Sequence, residues 1–167
     1  IGVGISSLIF LITKNYYWDD LAFSFAQTGI IFASLIIVTG ALWAKPVWGV
    51  WWTWDPKLTT TVILWFIFSA YLLIRNLIED KKRAALIGAI IALLGSIDAP
   101  LIYFASILWR TAHPELNIGP LADEENSGLP SSMLLTFFIS LMAHTFLFSI
   151  LVRMRLRVKE LERLTYE

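Results

Sequence analysis

The sequence predicts an all-α protein, a polytopic transmembrane helix bundle with four full spanning helices and a partial first one. Three observations carry that expectation. Hydrophobic residues make up 57% of the chain, charged residues only 16%, and the mean hydropathy is +0.70, a composition that cannot cover a soluble surface. Four apolar runs, from Leu21 to Leu42, Leu58 to Ile74, Ala84 to Ala105 and Ser131 to Val152, each approach the ~20 residues needed to cross a ~30 Å hydrocarbon core. Lipid offers no partner to backbone N–H and C=O groups, so such runs must satisfy themselves as helices.

Taken in order, the first apolar run, Ile1 to Thr13, is too short for an ordinary crossing and reads as the tail of a helix that begins upstream. Small residues at Gly29 and Ala33 in the second run, and at Gly88, Ala92 and Ser96 in the fourth, recur at four-residue spacing and predict close helix packing in lipid. Asp55-Pro56 is a helix start, with aspartate as the N-cap acceptor and proline at the first helical position. The stretch Pro114 to Pro130, which contains Asn117, Gly119, Pro120, Asp123, Glu124, Glu125 and Gly128, reads as a polar loop. The organisation expected is one transmembrane unit over 1–152, with an aromatic loop over 43–57 and a histidine loop over 106–130, followed by a basic tail over 153–167 that looks like a helix extended out of the membrane.

Charge sets the expected orientation. Of the 13 Lys and Arg residues, Lys14, Arg75, Lys81, Lys82, Arg83, Arg153, Arg155, Arg157, Lys159 and Arg163 fall in one set of alternate connections, and only Lys45, Lys57 and Arg110 in the other. By the positive-inside rule the first set is cytoplasmic, so the aromatic loop and the histidine loop share the external face.

The aromatic loop is the most informative segment. Trp48, Trp51, Trp52 and Trp54 fall within one short stretch and are followed at once by Asp55. Interfacial tryptophans are ordinary anchors, but this density of rigid rings beside Gly49 also suits a wide, planar, apolar ligand such as a porphyrin. Lys45 and Lys57 flank the rings, either snorkelling or placed to meet acidic groups of such a ligand. There is no cysteine, hence no thiolate and no Cys-x-x-Cys-His attachment site, so any haem is bound reversibly.

The spelling Trp48-Gly49-x-x-Trp52-x-Trp54-Asp55 resembles the tryptophan-rich signature of the haem-handling membrane proteins of cytochrome c maturation. The continuation Asp55-Pro56-Lys57-Leu58-Thr59 is most similar to the cytochrome c maturation protein C family, called haem exporter protein C in older naming. His113, in the next external loop, matches a second feature of that family, and the helix pattern agrees to about residue 152. The resemblance implies six spanning helices in a full-length member, one of them upstream of Ile1 with the first external loop. It also implies b-type haem held against Trp48, Trp51, Trp52, Trp54 and Asp55, with His113 as one axial iron ligand and the second ligand upstream.

The other polar residues leave alternatives open. A loop histidine such as His113 is by itself most often solvated, and iron ligation rests on the resemblance. His144 lies deep in the last run and reads either as a helix-to-helix hydrogen bond or as a functional intramembrane group. Asp98, two residues before Pro100, reads either as a proton relay or as a partner of the backbone that the proline opens, where the family often has an amide. Asp55 is either purely a cap or a cap that aims the rings.

The expected function is haem binding at the external face of a prokaryotic plasma (inner) membrane and delivery to a periplasmic haem chaperone, with no bond made or broken by this chain. By resemblance the partners are ABC-type ATPase and permease subunits and a small membrane subunit; nucleic acid is not among them. The rival readings are a lyase-type haem attachment protein, a haem-transporting permease subunit, and a purely structural membrane subunit.

Overall fold

A computed structural model describes residues 1–109 and 131–166 of the chain. Five helices follow in order: α1 (Gly2–Thr13), α2 (Tyr16–Trp48), α3 (Pro56–Leu77), α4 (Lys81–Leu108) and α5 (Ser131–Tyr166). The last four are long and apolar enough to cross a membrane, whereas α1 is a short apolar helix. The protein is an all-α polytopic membrane bundle, as its composition requires.

Local chemistry places the helix ends outside the apolar runs. Lys14 adopts φ 55° and closes α1 through its N–H to the Phe10 carbonyl at 2.7 Å. The next residue, Asn15, caps α2 by accepting from the Tyr17 N–H at 3.0 Å, so α2 begins well before Leu21 and takes Asp19 and Asp20 into its first turns. At its other end α2 continues through Pro46 to Trp48, where Gly49 at φ 78° stops it. The expected aromatic loop over 43–57 therefore narrows to a link from Gly49 to Asp55. Asp80 caps α4 through the N–H groups of Lys82 and Arg83, which adds a basic first turn to the run that starts at Ala84. Past Val152, α5 stays helical to Tyr166, as the basic tail suggested.

The helices pack as α3 against α4, α1 against both α2 and α4, and α2 against α3 and α5. The core is small: Val3, Ala22, Phe23, Ala26, Tyr71 and Ala92, with Phe25, Phe68, Leu72 and Ile91 against it, and a second cluster of Phe10, Ala85 and Ala89. Most other large apolar side chains are exposed, as lipid-facing residues should be.

Glycine sets the closest approaches. A Cβ on Gly88 would come within 2.6 Å of Arg75 Cδ, and one on Gly95 within 2.9 Å of Ile67 and 3.3 Å of Phe68, so α3 lies directly on α4 at both places. A Cβ on Gly4 would run into the Ser96 hydroxyl, which does the same for α1 and α4. The expectation for Gly29 is corrected: nothing lies within 4 Å of a Cβ there, and Gly29 and Ala33 instead line an apolar recess of about 240 Å³ with Val3, Phe25, Trp65 and Phe148. Above the recess, the Trp65 indole N–H donates to the Ser34 hydroxyl at 2.8 Å, a polar cross-link between α2 and α3. The last helix is held differently, by Phe148 stacked on Phe25 at 6.0 Å and edge-on to Phe32 at 5.5 Å.

The connections alternate between two ends. Asp19 at the start of α2 meets Arg75 at the end of α3, and Lys159 late in α5 lies 4.8 Å over the Phe23 ring. These define a basic end. The Gly49 to Asp55 link lies at the other, tryptophan end, where α4 also finishes.

Candidate functional site

The tryptophan link is fixed at both edges by helix caps. On the α2 side, the Gly49 N–H donates to the Lys45 carbonyl at 3.0 Å, and the Lys45 ammonium donates back to the Gly49 carbonyl at 2.9 Å. That ammonium is also 5.9 Å from the centre of the Trp51 ring. On the α3 side, Asp55 Oδ1 accepts from the Leu58 N–H at 2.8 Å, with Pro56 at the first helical position. The cap expected of Asp55-Pro56 is present. The Lys45 ammonium thus ties off the end of α2, a bond that the sequence reading did not foresee.

Four of the rings form two edge-on pairs, one at the end of α2 and one on the link. Trp43 meets Trp48 at 5.4 Å between centroids and 82° between planes, and Trp52 meets Trp54 at 5.8 Å and 76°. Trp54 is 75% exposed, Trp51 55% and Trp43 51%, whereas Trp52 and Trp48 are half-buried. To Trp48, Trp51, Trp52, Trp54 and Asp55 the structure adds Trp43, which stands in the last turns of α2 and which the sequence reading did not single out within the 43–57 loop. Trp43, Trp51 and Trp54 thus leave exposed aromatic surface at the end of α2 and on a link capped at both edges.

Two polar atoms within this segment are buried without a hydrogen-bond partner: the indole nitrogen of Trp52 and the hydroxyl of Thr53. The sequence reading gave Thr53 no role, since a lone threonine between tryptophans carries no signal of its own.

His113 lies outside the described residues, as does the acidic stretch Asp123 to Glu125; the described chain leaves α4 at the tryptophan end, at Trp109. His144 is exposed on α5, and its Nδ1 pairs with the Ser140 carbonyl at 2.8 Å, a bond within its own helix and not one to a neighbour. Asp98 is buried on α4, and its Oδ2 has no hydrogen-bond partner, so it does not bind the backbone opened by Pro100.

At the basic end, Arg75 donates to both carboxylate oxygens of Asp19, at 2.8 and 2.7 Å, and the two side chains are 11% and 8% exposed. This pair borders a polar cavity of about 270 Å³ with Phe23, Asn76, Lys159 and Glu162. Sequence reasoning counted Arg75 only as an orientation charge. Its partner was overlooked because Asp19 precedes the apolar run by only two positions. Neither this cavity nor the apolar recess is lined by any residue of the 43–57 segment.

Comparison with known proteins agrees over the whole length. A family model described as "Heme exporter protein C" matches residues 1–166. A protein of that name from Bradyrhizobium diazoefficiens is 32% identical over 146 residues, covering 87% of this chain and 54% of that protein. A "Putative cytochrome c biosynthesis ccmC-like mitochondrial protein" of Marchantia polymorpha is 31% identical over 147 residues, 88% of this chain and 60% of the relative. The "Heme exporter protein C" of Escherichia coli is 33% identical over 88 residues, 53% of this chain and 36% of the relative. The chain thus spans little more than half the length of the relatives it matches most extensively.

Proposed function

The chain belongs to the haem exporter protein C family, and from that premise we propose that it takes haem on its tryptophan face and hands it to a periplasmic haem chaperone. One observation supports this reading above the others: exposed Trp51 and Trp54 stand on a link capped at both edges. Anchoring alone asks only for rings at the interface. A ligand platform also needs them held in place, because a loose surface spends binding energy on its own ordering.

In this reading the rings of Trp48, Trp51, Trp52 and Trp54 take the porphyrin face and Asp55 keeps the link aimed. His113 supplies one axial imidazole to iron, and the second ligand comes from another part of the full-length protein. The haem is b-type and bound reversibly, a reading that the absence of cysteine from these residues supports. A one-sided grip leaves the far edge of the ring available to an acceptor, so delivery needs no covalent step here. The tryptophan face is then periplasmic, the basic end cytoplasmic, and the assembly partners are ABC-type ATPase and permease subunits and a small membrane subunit.

The test is the haem absorbance of the purified full-length protein. His113→Ala is expected to lose or shift the haem bands and His144→Ala to keep them. The triple variant Trp51→Leu, Trp52→Leu, Trp54→Leu is expected to stay in the membrane at normal abundance while its haem content falls several-fold, since leucine is well tolerated in lipid. Loss of haem with His144→Ala alone would move the iron to α5. Normal haem in the triple variant would return the rings to anchoring.

A further inference from the structure

Four buried side-chain atoms among the described residues have no hydrogen-bond partner. Thr28 and Asp98 supply one each, on separate spanning helices. The other two, Trp52 Nε1 and Thr53 Oγ1, belong to consecutive residues in the centre of the tryptophan link. A buried donor left unsatisfied is costly, and the full desolvation penalty falls on the folded chain. Neighbouring positions that both bear it, on a segment with exposed aromatic rings, share a chemical need: an acceptor that the described residues do not provide.

Lys45 is already bonded to the Gly49 carbonyl and closes the end of α2. An acidic group arriving on the rings would meet the two neutral donors at the centre of the link, with the Lys45 ammonium at its α2 edge.

We propose that the Trp52 indole N–H and the Thr53 hydroxyl receive a carboxylate of the bound ligand, so that the tryptophan face selects a planar apolar molecule by its free acid group as well as by its ring. This rests on the haem reading above, where the carboxylate is a propionate. A carboxylate has two oxygens and accepts from two donors at once. Both donors lie below the surface, with the Trp54 ring edge-on to Trp52; Trp54 is three-quarters exposed, so it can turn outward as the acid group enters. The rings then give affinity for any flat apolar ligand, and the two donors give preference among them.

The experiment titrates the full-length protein in nanodiscs with haem and with haem dimethyl ester, following quenching of tryptophan fluorescence. Wild type is expected to bind the free acid about tenfold more tightly than the ester, the order of one charge-assisted hydrogen bond. Thr53→Val, which keeps shape and removes the hydroxyl, is expected to weaken haem several-fold, leave the ester unchanged and so narrow the ratio. Thr53→Ser should restore it, and Thr53→Ala provides a second variant without the hydroxyl. Equal affinity of wild type for acid and ester, or an equal loss of both in Thr53→Val and Thr53→Ala, overturns the carboxylate assignment and leaves the haem reading standing. Failure of wild type to bind either probe overturns both.

Discussion

At the basic end of the bundle Asp19 and Arg75 are buried and matched, two hydrogen bonds joining a carboxylate to a guanidinium. At the tryptophan end the indole nitrogen of Trp52 and the hydroxyl of Thr53 are buried with no partner among the described residues. Both ends place polar groups out of water, so burial alone does not distinguish a clamp from a binding surface. Matching does: a bidentate pair completes itself within the fold and ties α2 to α3, whereas an unpaired donor is completed only by something added to it.

The comparison can be broken at the clamp first, where the largest effect is expected. Arg75→Met leaves the Asp19 carboxylate buried without its partner and should cost about 3–5 kcal/mol, read as a large fall in unfolding temperature in detergent. Adding Asp19→Leu to that variant is expected to recover most of the loss, because an apolar pair no longer carries an uncompensated charge. A double variant as unstable as the single one would show that the pair is more than a clamp.

A smaller effect sharpens the role of close packing between the ends. Gly95→Val drives methyl groups into Ile67 and Phe68 and should cost about 1–3 kcal/mol by overpacking, whereas Gly29→Val, facing open space, should be close to neutral. Thermal unfolding of the two variants side by side checks this, and equal losses would contradict the packing described.

The smallest effect is expected at the tryptophan link. Asp55→Ala removes the acceptor for the Leu58 N–H and should cost about 1 kcal/mol, with Asp55→Asn retaining nearly all of it. In the haem reading, Asp55→Ala also lowers haem content by loosening the link, and Asp55→Asn does not. Haem loss in both variants at equal stability would give the charge of Asp55 a direct part in binding.

Much of this was legible in the sequence for a physical reason. A membrane imposes one length on every crossing element, so the apolar runs show themselves without any knowledge of packing. Helix ends were less legible, because Asn15, Gly49 and Asp80 act through individual hydrogen bonds that hydropathy does not register. Gly29 and Gly95 look alike on paper, yet one faces a recess and the other faces Ile67 and Phe68; spacing identifies a small residue but not its neighbour. The same limit hid the Asp19–Arg75 pair, whose members stand far apart in sequence, and Thr53, whose importance lies in what it fails to touch. The ring cluster and the Asp55 cap were visible because both are written in adjacent residues.

The unequal length of α2 and α3 has one more consequence. Measured along each helix from the Asp19–Arg75 pair, α2 rises ~43 Å to Trp48 while α3 rises only ~29 Å to Pro56. For helices running side by side, the chain must descend ~15 Å between them over the link from Gly49 to Asp55. The tryptophan segment is thus a ramp and not a ledge. A flat molecule resting on it would stand on edge, its plane closer to the membrane normal than to the membrane surface, and would be approached from the side.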